Sequence, residues 1–468
     1  MDIIIGFITN NSYLDGIIHR QMRKSLLDSF DRIYILNLHG SARREEKLPP
    51  NITKDENVFD IQQGVAITLF IKNEKFKNKK VFYADLYGER EYKYNWLDRN
   101  RVNTINWQEI KPEKPYYFFV PKDFNLQREY SRFWKITEIF EEYSGGVKTH
   151  RDHFLVGFSE NEITARLSRF LDRNLSEEDV KKEFNLRDTR DWKVETARKS
   201  VYNFKEIIKR YSYRPFDIRY IAYDKNLIDR GCDRTKLMSN FFRDNTALIL
   251  NRQSAEFNHI LVSENVTDIH FTGGQSYVFP LYLNEGDKKQ LNFTKEFIKF
   301  IDKKYQNKKV TPEDILSYIY AVLHSPTYRE KFNEFLKIDF PRIPFVDDYE
   351  TFKQLSELGK ELVELHLMRK RLPVKTKFDV QGSNVVRRVK YKDGKIFIND
   401  KQYFDGIPED IWNFYIGGYK VLDKWLKSRK NRKLSGKEIE QFLQIVEIIR
   451  ETIKIMKKID EVEIFNHK

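Results

Sequence analysis

An apolar run with no lead-in, Ile3 to Thr9 (IIIGFIT), opens the chain and constrains its fold more than any other stretch. Apolar side chains at successive positions need cover on both faces of a strand, and a sheet covered twice belongs to an α/β fold. The run therefore predicts a buried, parallel strand. Gly16 to Phe30 reads as an amphipathic helix with Ile18, Met22, Leu26 and Phe30 on one stripe. Further β runs follow at Arg32–Leu38, Val65–Ile71 and Lys80–Leu86, and KPYYFFVPKD, residues 114 to 123, predicts one more strand between prolines. Strand, helix, strand and hairpin form the last third of a doubly wound α/β sheet. Residues 1–130 are thus expected to be an α/β fragment.

From residue 131 the pattern changes to an α+β domain, 131–468, with a β-rich centre at 213–283 and a mainly helical part at 311–468. FWKITEIFEEY predicts a short helix, and ENEITARLSRFLDR (160–173) and SVYNFKEIIKRY (200–211) predict two more. Ser176 with Asp179, and Ser435 with Glu438, are spaced as capping boxes. Thr311 precedes Pro312 as N-cap and first helical residue, and residues 349 to 371 read as a long helix. VRRVKYKDGKIFINDKQYF predicts a hairpin turning at Asp393-Gly394.

The β-rich centre carries the chemistry most open to interpretation. Arginines 214, 219, 230, 234, 243 and 252 alternate with aromatic residues from Tyr213 to Phe242. A guanidinium fork suits phosphate oxygens and the guanine edge. The same pattern also describes an aromatic core under a solvated basic face, or an Arg214 buried against Phe216 and Asp217. The candidate DNA-binding residues are Arg151, Arg214, Arg219, Arg230, Arg234, Arg252, Gln253, Gln275, Ser276, Lys430 and Arg432. Arg151 follows Gly145-Gly146, Gln275 and Ser276 follow Gly273-Gly274, and Lys430 and Arg432 lie in the basic run KVLDKWLKSRKNRK. Glycine pairs permit close backbone approach to a phosphate, and equally a plain hairpin turn.

Composition narrows the function classes. Lys and Arg number 84 against 70 Asp and Glu, a net charge of +14 that favours an acidic partner. Aromatics at 15% supply enough apolar mass to exclude a disordered polycation. The lone Cys232 excludes an internal disulfide and a Cys-rich zinc site, and fits a reducing cytoplasm. No run approaches the ~20 apolar residues of a membrane span, and no signal peptide opens the chain, so a cytoplasmic location is expected. His150 and His153 lack further ligands at metal-binding spacing, so no metal is expected. Walker, G-x-S-x-G, H-E-x-x-H and G-x-G-x-x-G motifs are all missing from the sequence.

Several long segments, in order, resemble the C-terminal part of type ISP restriction–modification enzymes and adenine-specific DNA methyltransferases. GFITNNSYLDG, RKSLLDSFDRIYILNLHG and DENVFDIQQGVAITLFIKN resemble the end of the methyltransferase domain. GVKTHRDHF, YRPFDIRYIAYD, DIHFTGGQSYVFPLYL, HSPTYREKFNEFLKIDFPRIPF and QYFDGIPEDIWNFYIGGYKVLDKWLKSRKNRKLS resemble the target-recognition domain. The resemblance implies binding of double-stranded DNA, with N6 methylation of a flipped adenine from S-adenosylmethionine in the intact family enzyme. It places Asn10, Asn11, Ser12 and Phe59 beside the target base. The family's N-P-P-Y tetrapeptide and its glycine-rich cofactor strand do not occur in this chain, and in family order they would precede Met1. The chain is therefore expected to hold no catalytic residue and no cofactor, and to be inactive in methyl transfer alone. It would then complement a separately encoded N-terminal methyltransferase, helicase or nuclease piece, or be the product of a truncated gene. An active methyltransferase assembled with such a piece, and an unrelated basic binding protein, are the alternatives.

Overall fold

A computed structural model describes residues 3–42, 48–122, 124–201, 203–228, 234–254, 256–285 and 288–465. Two compact units divide the chain, residues 1–130 and 131–468.

Unit 1 is a five-stranded sheet with helices on its two faces. Its elements are β1 (Ile3–Asn10), α1 (Arg20–Ser29), β2 (Arg32–His39), β3 (Val65–Lys72), β4 (Lys80–Asp85), α2 (Arg90–Arg99) and β5 (Gln108–Ile110). The strand order is β1-β3-β2-β4-β5. β3 runs antiparallel to both β1 and β2, and β2 runs parallel to β4. One face packs Ile33, Ile35, Phe70, Val81 and Tyr83 against Leu26, Leu27 and Phe30 of α1. The other packs Leu36, Leu38 and Val65 against Trp96 and Leu97 of α2.

Three expectations are corrected here. β1 is not a buried parallel strand but an edge strand antiparallel to β3, with Ile4, Ile5, Phe7 and Ile8 exposed. The stripe on α1 splits: Leu26 and Phe30 pack, while Ile18 and Met22 are exposed. Its polar side instead buries Arg23, whose guanidinium donates to the carbonyls of Tyr13, Gly16, Tyr116 and Tyr117. KPYYFFVPKD forms no strand among its described residues; it turns, and buries Phe118 and Phe119.

Unit 2 joins two small sheets to a helical layer. The strands of the two sheets are β6 (Ser144–Gly145) and β7 (Val156–Gly157), followed after α3 (Glu160–Phe170) by β8 (Ile208–Arg214) and β9 (Asp217–Ala222). Then come β10 (Ala247–Asn251), β11 (Leu261–Ser263), β12 (Val266–Thr267) and β13 (Ser276–Pro280). The sheets have the orders β12-β8-β9-β7 and β11-β10-β13-β6. Residues 200–211 are not one helix: a helix ends at Ser200, and β8 begins at Ile208 to pair with β9.

The helical layer is α4 (Pro312–His324), α5 (Tyr349–His366), α6 (Val421–Lys427) and α7 (Gly436–Asp460). Both α4 and α7 start in capping boxes, from Thr311–Asp314 and Ser435–Glu438. Gly359 lets α5 meet α4, because a Cβ there would lie 1.8 Å from the Ser317 carbonyl oxygen. Between α5 and α6, β14 (Lys390–Lys392), β15 (Lys395–Phe397) and β16 (Tyr403–Asp405) form a meander that turns at Asp393-Gly394. Among the described residues no helix is long and apolar enough to cross a membrane.

Candidate nucleic-acid interface

The β8–β9 hairpin presents its arginines inward, onto carboxylates and rings. Arg219 donates from Nε and Nη2 to one oxygen of Asp217, at 3.0 and 2.7 Å. The other Asp217 oxygen accepts from Nη2 of Arg429 at 2.8 Å. Asp217 is fully buried, and Arg429 also reaches Glu438 at 3.1 Å. Burial alone would raise the Asp217 pKa; Arg429 and Arg219 more than offset it and hold the carboxyl below its usual range. Phe158 collects three guanidiniums, with Arg432 at 3.6 Å, Arg219 at 4.1 Å and Arg429 at 5.1 Å. This cluster fastens β9 to the turn between α6 and α7.

Arg214 pairs with buried Asp268 at 2.7 Å and lies 4.0 Å over Tyr213. Its partner is Asp268, not Asp217. Arg151 is buried, 3.7 Å over Trp192, and donates to the carbonyls of Thr149 and Leu227. Ser276 is buried, bonded to Thr272. Arg151, Arg214, Arg219 and Ser276, read from the sequence as groups that face DNA, thus all bond partners within the chain. Arg234, half-buried in a left-handed conformation, precedes a short helix at Thr235. Arg230 lies outside the described residues.

The glycine pairs serve chain packing. A Cβ on Gly417, at φ +57°, would lie 2.1 Å from the Thr272 carbonyl oxygen, and one on Gly273 would lie 3.1 Å from the Gly418 nitrogen. A Cβ on Gly146 would meet the Asp268 backbone at 2.6 Å. The Gly273 loop therefore seats against the turn that leads into α6.

Two groups of polar side chains stay at the surface. Asn251 pairs with Ser276 in the β10–β13 register, so Arg252 and Gln253 leave β10 where Gln275 enters β13. Arg252 is half exposed and bonds Asp339 at 2.8 Å; Gln253 and Gln275 are exposed. The second group surrounds Lys430 and Arg432. Residues 384–386 run beside 431–434, through Asn431 N to Val386 O at 2.7 Å, Val386 N to Arg432 O at 3.0 Å and Leu434 N to Asn384 O at 2.9 Å. That pairing brings Arg387 and Arg388 to the same edge as Lys430 and Lys433, all four exposed. Among the described residues none of these four has a carboxylate within ion-pair distance. Sequence reasoning took the run from Lys427 to Lys433 as able to grip phosphate, but missed Arg387 and Arg388 as candidates beside it. The Arg387-Arg388 doublet was the available signal, but only the backbone pairing shows what it adjoins.

In unit 1, β1, β2 and β4 run in one direction and end together. Asn11 donates to Asn37 at 3.0 Å, Asn37 donates to the Tyr83 hydroxyl at 3.1 Å, and Tyr83 bonds Asp85. His39 meets Asp85 at 2.7 Å and stacks on Tyr87. Asn10 accepts from the Ser12 backbone at 2.8 Å. Phe59 is exposed on the loop ending at Gly64, whose carbonyl accepts from Asn11. Asn10, Asn11, Ser12 and Phe59 thus lie at one end of the sheet. Among the described residues no three His, Cys, Asp or Glu side chains gather as a metal site.

Comparison with known proteins decides the family. The family model of the type ISP C-terminal specificity domain matches residues 138–458, more than half of the chain. The chain belongs to this family. Its fold is shared with solved structures, among them those of two type ISP enzymes. The DrdV–DNA complex superposes with a TM-score of 0.78 at 23% identity, over 98% of this chain and 50% of that one. The DNA-bound type ISP enzyme LlaBIII gives 0.75 at 24%, over 98% and 33%. A nuclease-deletion mutant of type ISP LlaGI, with a DNA substrate mimic, gives 0.72 at 21%, over 99% and 47%. The type ISP chain described here therefore spans half or less of each of those chains. No curated protein matches it.

Proposed function

We propose that this type ISP chain is the DNA sequence-recognition portion of a restriction–modification system. The carrying observation is the specificity-domain match across unit 2, on a surface where Arg387, Arg388, Lys430 and Lys433 stand together without acidic partners. Such cations hold phosphates and set register, while Arg252, Gln253 and Gln275 supply forks and amides suited to base edges. The test is a fluorescence titration of labelled duplex with the chain and with Arg387→Ala/Arg388→Ala. The double variant should bind all duplexes more weakly and with a shallower salt dependence. Unchanged binding would overturn the assignment of this edge.

Unit 1 is read as the final part of an adenine-N6 methyltransferase domain. Support comes from three strands ending together on Asn10, Asn11, Ser12, His39 and Asp85, and from the exposed ring of Phe59, a group suited to stacking on an extruded base. Asn10 and Asn11, the polar side chains at this end of β1, already have protein partners and are not assigned to S-adenosylmethionine, so no step through the methyl donor is derived. Methylation would need that donor held by groups other than these. A labelled-donor assay on duplex DNA tests the reading of unit 1 as a final part only; incorporation by the isolated chain would refute it.

A further inference from the structure

One face of the β8–β9 hairpin borders a cavity of about 400 Å³ inside unit 2. The register sets Arg210 opposite Tyr220 and Ser212 opposite Ile218, so these four side chains share that face. Tyr211 and Arg219, also paired, take the other. Leu261 to Asn265, running from β11 towards β12, form a second wall, and Met368 after α5 and Gln441 of α7 form a third. Phe216 and Met368, both lining the cavity, hold positive φ, at 58° and 57°. Large side chains adopt that backbone conformation only at a cost, and such strain gathers at ligand sites.

The polar groups of the walls divide into committed and free. The carboxylate of Glu264 is held by Arg369 at 2.6 Å. His366 uses its two nitrogens on Tyr320 and Thr452. Asn265 donates its amide to Ser212 at 3.4 Å, and Gln441 donates to the Phe216 carbonyl at 3.0 Å, which leaves both amide oxygens as acceptors. Among the described residues, the exposed Arg210 guanidinium and the Tyr220 hydroxyl have no partner in the chain.

We propose that this cavity binds a purine mononucleotide, a function beyond the reading of duplex sequence. Its volume suits a ligand of that size and cannot admit a duplex. Arg210 would hold the phosphate at the rim, with the Tyr220 hydroxyl as a second donor. The oxygens of Asn265 and Gln441 would accept from ring N–H groups, and Phe216, Phe271 and Met368 would flank the base. A cationic or zwitterionic ligand would find the one carboxylate already paired. Inorganic phosphate would leave the apolar walls unused.

Calorimetric titration of the full chain tests this, with adenosine monophosphate and guanosine monophosphate as probes and adenosine and inorganic phosphate as controls. At least one nucleotide should bind one-to-one, ~10-fold or more tighter than either control, because each control lacks half of the contacts. Arg210→Met should weaken that binding by ~10-fold or more, and Tyr220→Phe by ~3-fold or more. Both variants should keep the wild-type melting temperature, since neither side chain's polar group has a partner to lose. No nucleotide binding, binding no tighter than that of inorganic phosphate, or binding indifferent to Arg210→Met would overturn the proposal. Saturating nucleotide should leave duplex affinity unchanged. Displacement of the duplex would assign the cavity to the DNA-binding surface and overturn a separate site, and the same titration shows independently whether the DNA-recognition reading holds.

Discussion

Arg429→Met tests whether the arginine–aromatic centre is framework or contact surface. The substitution keeps an apolar stem over Trp425 and removes the charge shared by Asp217 and Glu438. Breaking a buried ion pair from one side costs ~3–5 kcal/mol, because the remaining charge is left without its partner. Asp217 keeps both Arg219 bonds on one oxygen and loses the bond on the other, so the lower figure, ~3 kcal/mol, applies. At ~2 °C per kcal/mol for a large domain, the melting temperature should fall by roughly 6 °C. The Asp217 carboxyl, now held down by Arg219 alone, should also titrate higher. Its depressed pKa contributes stability above the unfolded value of ~4, lost as pH falls through the folded value, and that loss should begin at higher pH in the variant. Urea unfolding at several pH values measures both effects. DNA affinity below the transition should keep the wild-type salt slope, since Arg429 is buried. A variant as stable as wild type but with a shallower salt slope would refute the framework assignment.

Further outcomes follow from the same geometry. Lys430→Ala/Lys433→Ala should leave stability within ~0.5 kcal/mol, as surface changes do, and reduce the salt slope of DNA binding by ~1 per lysine, measured by titration at several salt concentrations. His259 and His366 are held by burial at a pKa of about 3, and buried His324 lies well below its usual value, so all three stay neutral in the folded chain. The unfolded chain protonates them near pH ~6.5, so stability is full above that value and falls below it by up to ~4 kcal/mol per pH unit; a flat urea midpoint between pH 7.5 and pH ~5.5 would contradict this. Gly417→Ala should cost ~3 kcal/mol or more by calorimetry, because its Cβ would collide with the Thr272 carbonyl at a backbone angle that disfavours any side chain.

Local signals in the sequence were readable, and long-range partners were not. The caps at Ser176, Thr311 and Ser435 appear where their spacing places them, because a capping box is decided within four residues. The Asp393-Gly394 turn is equally local. The arginines of the centre were visible, but their destination was not: Asp268 lies 54 residues from Arg214, and Arg429 lies 212 from Asp217. The same limit hid Arg387 and Arg388, whose neighbours at 430–433 are set by backbone pairing. IIIGFIT reads as an interior strand because its composition is that of one; its exposure follows from what stands beside it, which residue order alone does not encode. Glycine pairs suggested phosphate approach, whereas Gly273, Gly417 and Gly146 are small because another backbone crosses there.

The most direct test of the type ISP reading is selection of bound sites from a pool of duplexes with a randomised stretch, run at low and at physiological salt with the full chain. A sequence-reading module should enrich one consensus, with an affinity that falls steeply as salt rises. Recovery of an unenriched pool, or binding indifferent to salt, would contradict it.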